Sequence, residues 1–249
     1  MTPLMQVSGL EKSFGGVKAV DGLDFDLHPG ELLAMIGPNG SGKSTTFNLI
    51  NGQLSADRGS IRLDEVELLG RKPRDIWRLG VGRTFQIAET FASMTALENV
   101  QMALLSRDQR LASLFSRAAQ YRRDEAMALL AQVGMAEQAE RPCAVLAYGG
   151  VKRVELAVAI AHAPRLLLMD EPTAGMAPQE RLELMALTRR LVLERHMAVL
   201  FTEHSMDVVF AYADRIIVLA RGRLIASGTP TAVRENVRVQ EVYLGGDLA

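Results

Sequence analysis

One cysteine, one tryptophan and an aromatic content of 5% are the leanest features of this 249-residue chain. The lone thiol, Cys143, excludes an internal disulfide framework and suits a reducing compartment, where it reads as a small apolar residue. Charge of one sign is missing too. The 28 basic and 29 acidic residues nearly cancel, which removes any bulk electrostatic case for a nucleic-acid binder or an acidic-tail protein. Long apolar runs are absent: the most apolar stretches, 32–36 and 156–169, are too short or too interrupted to cross a bilayer, which takes about 20 apolar residues. Residues 1–12 lack the basic start and apolar run of a secretory signal, so a cytoplasmic chain that reaches any membrane through a partner is expected. Repeats of fixed period and low-complexity segments are also lacking.

What is present alternates. Three nearly continuous apolar runs, 31–36, 166–169 and 197–201, read as buried parallel strands covered on both faces. Leu184, Leu187 and Leu191 follow Pro178 at helical spacing. Strand and helix in turn predict an α/β fold with a largely parallel core. Before it, the segments 5–10, 17–20 and 23–27, broken by Gly–Gly and Asp–Gly, predict small antiparallel strands. Residues 97–133 predict a helical insert punctuated by 106–110 and Gly134. Residues 220–228 predict a hairpin turning at Arg221 and Gly222, followed by a short helix reaching Tyr243 and Leu244.

Chemistry gathers where the apolar runs end. Gly37-Pro-Asn39-Gly40-Ser41-Gly42-Lys43-Ser44-Thr45 follows the first run and precedes the apolar Phe47, Leu49 and Ile50 of an incipient helix. Glycines at this spacing permit a loop whose N–H groups point inward, and the helix start adds partial positive charge, so the loop suits phosphate. Lys43 can reach β- and γ-phosphates as a point charge, and the Ser44 hydroxyl can ligate Mg²⁺. The second run stops at Asp170 and Glu171. The first carboxylate suits a metal ion; the second, directed elsewhere by strand alternation, suits a water proton. The third run leads to His204, placed to donate to a γ-phosphate and hold the attacking water. His28, His162 and His196 lack such a position and read as surface or structural. All three ends are carboxyl ends of core strands, where open α/β sheets bind ligands.

With Thr84-Phe-Gln86, Leu146-Ala147-Tyr148-Gly149-Gly150, Ala174-Gly-Met-Ala177 and His204 in this order, the whole chain resembles the nucleotide-binding domain of ABC transporters. The resemblance implies a P-loop NTPase core with an antiparallel β subdomain (1–86 and 160–228), a helical subdomain carrying the signature motif (87–159) and a C-terminal tail (229–249). It implies ATP and Mg²⁺ as cofactors. Phe14 would stack on adenine, and Gln86 would contact Mg²⁺ or the attacking water. Asp170 and Ser44 would hold the metal, and Glu171 and His204 would be catalytic. The family works as a head-to-tail dimer, so Ala147, Tyr148, Gly149 and Gly150 would complete the ATP site of a second ATPase subunit. One lysine loop and one acid pair, set against two anion-suited helix starts, agree with two half-sites per chain. Permease subunits, and through them a periplasmic substrate-binding protein, would be the other partners, with the chain peripheral on the inner membrane face and no nucleic acid involved.

Within the family, Arg83-Thr-Phe-Gln, Phe91, Met94-Thr95, Glu98-Asn99-Val100, Ala147-Tyr148-Gly149, Thr173-Ala-Gly-Met and Tyr243-Leu-Gly245 look like importers of branched-chain or hydrophobic amino acids and related small amides. Lipopolysaccharide-export ATPases and non-transport ABC ATPases are the alternatives. The signature departs from Leu-Ser-Gly-Gly-Gln. Ala147 lacks a hydroxyl that would be worth roughly 1.5–3 kcal/mol in a charge-assisted bond to a partner's phosphate. Gly150 replaces the glutamine, Ala177 the common aspartate and Val158 the common arginine. An asymmetric heterodimer is the expectation from these changes, since they touch only the donated half-site.

Overall fold

The computed structural model describes residues 2–84, 90–109 and 120–244. Among the described residues ten strands run in chain order as β1 (Met5–Phe14), β2 (Val17–Leu27), β3 (Leu32–Ile36), β4 (Arg58–Leu63), β5 (Val66–Glu67), β6 (Val81–Thr84), β7 (Leu166–Asp170), β8 (Ala198–Thr202), β9 (Arg215–Ala220) and β10 (Arg223–Gly228). They form two sheets. An antiparallel one has the order β2-β1-β4-β5, and a six-stranded one the order β10-β9-β3-β8-β7-β6. In the second, β9, β3, β8, β7 and β6 are parallel and β10 is an antiparallel edge. The expected α/β fold with an antiparallel N-terminal sheet is what the chain adopts.

Burial explains the central strand. Leu32, Ala34 and Ile36 face one apolar core and Leu33 and Met35 the other, all of them inaccessible to solvent. A strand with no wet face cannot alternate polar and apolar residues, and its sequence does not. Helices α1 (Lys43–Ile50) and α2 (Pro73–Arg78) follow β3 and β5. Helices α3 (Ala96–Arg107), α4 (Arg123–Gln132) and α5 (Tyr148–Ile160) lie between β6 and β7. Then come α6 (Pro178–Arg195), α7 (Met206–Tyr212), α8 (Pro230–Arg234) and α9 (Val237–Leu244). Leu184, Leu187 and Leu191 are buried on α6, as their spacing predicts. Thr95 and Glu98 form a reciprocal capping box on α3, at 2.8 Å and 3.1 Å, which fixes where that helix begins.

Several expectations need correction. The segments 17–20 and 23–27 are one strand, β2. Asp21–Gly22 is a bulge in its pairing with β1, whereas Gly15 and Gly16, at φ 52° and 88°, form the two-residue hairpin loop. The insert between β6 and β7, by contrast, is helical as expected: among its described residues α3 and α4, then two short 3₁₀ turns, precede α5. The hairpin at Arg221 and Gly222 is present, but its first arm, β9, is a full core strand, and two helices rather than one follow it.

Trp77 and His162, neither assigned a task by the sequence, stack at 4.6 Å between ring centroids beside α2 and the end of α5. Burial pushes the His162 pKa down to about 4, against the opposing pull of the Ala159 and Val81 backbone. The folded chain keeps this imidazole neutral, while the unfolded chain protonates it near pH 6.5. Unfolded molecules therefore bind the extra proton, and stability present above pH 6.5 falls as pH drops toward 4. Between pH 7.5 and 4.5 this group should remove about 2–3 kcal/mol of unfolding free energy. Urea titrations at the two pH values should show that loss shrink by a similar amount in His162→Phe; equal losses in both proteins would contradict it.

Candidate active site

The first core strand delivers a loop that only glycine can build. A Cβ on Gly37 would stand 2.2 Å from the Leu219 carbonyl oxygen, and one on Gly42 would stand 2.4 Å from that of Ala19. Gly42 also holds φ 105°, a left-handed conformation that ends the loop and starts α1 without a side-chain cap. The uncapped N–H groups are left facing the loop's hollow. From behind, the β9–β10 turn braces the loop: Gly222 N–H donates to the Ser41 carbonyl at 3.0 Å, and Asp21 N–H donates to the Gly222 carbonyl at 2.9 Å. Lys43 curls across the loop and donates to the Gly37 and Pro38 carbonyls at 2.7 Å and 3.2 Å. Burial lowers its pKa, and Glu171 and Asp170 oppose that shift. These partners are weak substitutes for a phosphate anion.

The loop forms one wall of a cleft of about 250 Å³. Phe14, Asn39, Gly40, Ser41, Gly42, Lys43, Ser44, Thr45, Glu171 and His204 all line it. Phe14 is 48% exposed at the end of the β1–β2 hairpin, so it is a cleft residue and not a core one. A larger groove of about 500 Å³, between α4 and α6, has neither a glycine loop nor an acid beside a lysine.

The acid pair is held by a hydroxyl the sequence reading passed over. Asp170 pairs with Thr202 of β8 in register. Thr202 Oγ1 donates to Asp170 Oδ1 at 2.8 Å and accepts the Glu171 N–H at 3.0 Å. Arg83 of β6 adds a 3.4 Å contact to Asp170 Oδ2 and donates to Asn48 and Gln53 at 2.9 Å each. Glu171 owes its direction to more than strand alternation. The backbone leaves the strand and turns left-handed there, at φ 46°, which brings Glu171 Oε1 to 3.0 Å from His204 Nε2. For a non-glycine residue that conformation costs about 1–2 kcal/mol, a strain associated with functional positions.

Ser44 lines the cleft and is exposed there, whereas Asp170 is not among the lining residues but lies close enough to act on the Lys43 charge; their hydroxyl and carboxylate are hard oxygen donors suited to Mg²⁺. Among the described residues no group of three or more His, Cys, Asp or Glu side chains could hold a metal ion. This donor set fits an ion that completes its shell with phosphate oxygens and water. Gln86 lies outside the described residues.

Ala147, Tyr148, Gly149 and Gly150 do not enter this cleft. They start α5, with Ala147 as an N-cap that makes no side-chain bond, and Ala147, Gly149 and Gly150 line a separate hollow of about 170 Å³ beside Met176 and Glu180. Glu180 accepts the Ala177 N–H at 3.2 Å at the start of α6. A Cβ on Gly149 would come within 2.9 Å of the same carboxylate, so a side chain there would require the Glu180 side chain to move. Neither Thr202 nor Arg83 is assigned a contact to the acid pair by the sequence: Thr202 signals itself only by following the third apolar run, and Arg83 only as part of the Arg83-Thr-Phe-Gln motif.

Known proteins resemble this chain in sequence and fold. The ABC transporter family model matches residues 20–174, and that of the C-terminal segment of branched-chain amino acid ATP-binding cassette transporters matches residues 223–249. The high-affinity branched-chain amino acid transport ATP-binding protein BraF of Pseudomonas aeruginosa is 40% identical over 251 residues, covering 98% of either chain. The corresponding LivG protein of Escherichia coli is 38% identical over 252 residues, again covering 98% of both. A solved ATP-binding cassette of an ABC transporter in its ADP conformation superposes with a TM-score of 0.87 at 28% identity, over 98% of this chain and 100% of that one. Family model, relatives and fold agree: the chain belongs to the ABC transporter family of ATP-binding proteins.

Proposed function

We propose that this chain is the Mg²⁺-dependent ATPase subunit of an importer for branched-chain or related hydrophobic amino acids. The observation that carries the reading is convergence: the Lys43 loop, Glu171 and His204 follow the carboxyl ends of β3, β7 and β8 and line one cleft, with Asp170 close enough to act on the Lys43 charge. The relatives that align over nearly the whole chain favour an amino-acid importer over lipopolysaccharide export or a non-transport ATPase.

In this reading Phe14 stacks on the adenine and the 39–45 loop wraps the phosphates. Lys43 exchanges its carbonyl partners for β- and γ-oxygens. Glu171 accepts a proton from the attacking water, and His204 orients that water and the γ-phosphate. Mg²⁺, held by Ser44 and Asp170 with Gln86, would neutralise charge developing on the phosphates. The start of α5 serves the ATP of a second ATPase subunit, identical or not, and lacks the hydroxyl at Ala147 that would strengthen that contact. The described part of the 87–159 segment, with α3, α4 and α5, forms the helical subdomain. Permease contact falls in a cleft of about 410 Å³ between α2, β6, α3 and α5, lined by Trp77, Val81, Ala103, Val158 and His162. That cleft is lined by Val81 and Arg83 of β6, which precede Gln86 in the sequence. Among the described residues no helix is long and apolar enough to cross a membrane, so the chain would sit on the inner face through its permease.

Glu171→Gln should lower kcat for ATP about 10²–10⁴-fold while ATP still binds, as read by phosphate release and nucleotide titration. Retention of more than a tenth of the activity would remove Glu171 from its role. In a complex with a non-identical ATPase partner, the same substitution in that partner should cost less; equal losses would refute asymmetry between the two sites. Phe14→Ala should raise the ATP KM about 5- to 100-fold with kcat nearly unchanged, the range expected from losing a base–aromatic stack. An unaltered KM would place adenine elsewhere.

A further inference from the structure

Glu203 sits between Thr202 and His204, is 4% exposed, and has no task in the mechanism above. Both its oxygens are occupied. Oε1 accepts the Thr173 N–H at 2.9 Å and the Thr173 hydroxyl at 2.6 Å. Oε2 accepts the His204 N–H at 3.1 Å and, more distantly, the Ser205 N–H at 3.5 Å. Thr173 lies two residues beyond Glu171, so one carboxylate clamps the two turns whose side chains meet at the 3.0 Å contact between Glu171 and His204.

Burying a carboxylate carries a large desolvation penalty unless donors surround it. An apolar side chain would fill the space without that penalty. Only an ionised carboxylate, with acceptor capacity on both oxygens, serves N–H and O–H donors from two turns at once. An amide at this position would turn its NH₂ toward donors on one side and hold only one turn. The His204 ring itself is half exposed, so its placement depends heavily on its backbone.

We propose that Glu203 is a positioning residue for the Glu171–His204 pair: its buried carboxylate, shared between Thr173 and the 204–205 backbone, sets the separation of the two groups. The proposal rests on the reading that Glu171 and His204 act together at the cleft.

The test uses the full chain with ¹³C-labelled histidine, whose four imidazoles give four Cε1 signals, assigned by single substitution. In the wild type, Glu171→Gln should shift the His204 signal. In a Glu203→Gln background that response should fall by about half or more. Hydrolysis should lose about ten-fold in kcat with the ATP KM within about two-fold, the split expected of a group acting on the chemical step and not on binding. Should Glu203→Gln fail to fold, Thr173→Val keeps the carboxylate and the backbone bonds while removing the 2.6 Å hydroxyl bond. It should show the same decoupling in milder form, and Thr173→Ser should restore the wild-type response. An undiminished His204 response to Glu171→Gln in the Glu203 and Thr173 variants, or a loss confined to KM, overturns the proposal while leaving the active-site reading intact. A His204 signal indifferent to Glu171→Gln in the wild type overturns the paired reading and the proposal with it.

Discussion

Everything aimed at the cleft depends on β3 having no wet face. Five consecutive residues, Leu32–Ile36, are sealed between two apolar cores, so polar chemistry can begin only where the strand ends. The chain must then turn within hydrogen-bonding distance of its neighbours β8 and β9, and steric limits at Gly37 and Gly42 leave one kind of loop that fits. Because β7 and β8 stop at the same level, with Asp170 opposite Thr202, both Glu171 and His204 just beyond them arrive at the same opening. Catalytic geometry here follows from strand ends in register, with side chains contributing the last few ångströms.

Those last ångströms are set by hydrogen bonds between neighbouring strand ends. Thr202 ties Asp170 to the Glu171 backbone, and Arg83 reaches Asp170 from the far side of β7. The bonds are short-range in space yet join residues from three different strands. Arg215 does comparable work at the opposite edge, donating to Asp26 and Glu31 at 2.8 Å each and so fastening the antiparallel sheet to the parallel one. Salt bridges with both partners partly screened from water hold better than the exposed pairs scattered over the helices.

The legible and illegible parts of the sequence divide along the same line. Strands β3, β7 and β8 announce themselves because burial on both faces leaves continuous apolar runs. β6, with the sequence Val-Gly-Arg-Thr at a sheet edge, has too little apolar surface to announce itself, and β9 was overlooked because the Arg–Gly turn signal drew its last residue into a hairpin. The phosphate loop, the acid pair and His204 could be read because each is a local pattern. Thr202 and Arg83 matter through partners 32 and 87 residues away, and only the strand order reveals that. Phe14 stands between these cases: only the family resemblance assigns it to adenine, and the hairpin is what carries it to the cleft. The Asp21–Gly22 bulge shows the reverse error, a turn signal spent inside a strand.

The left-handed backbone at Glu171 has a further consequence. Glycine or asparagine would occupy φ 46° with less strain, so the chain gives up conformational comfort at this position to keep a carboxylate there. Selection for a sturdier fold and selection for turnover therefore pull residue 171 in opposite directions, and a version of this protein optimised for durability alone would be expected to drift toward an inert one.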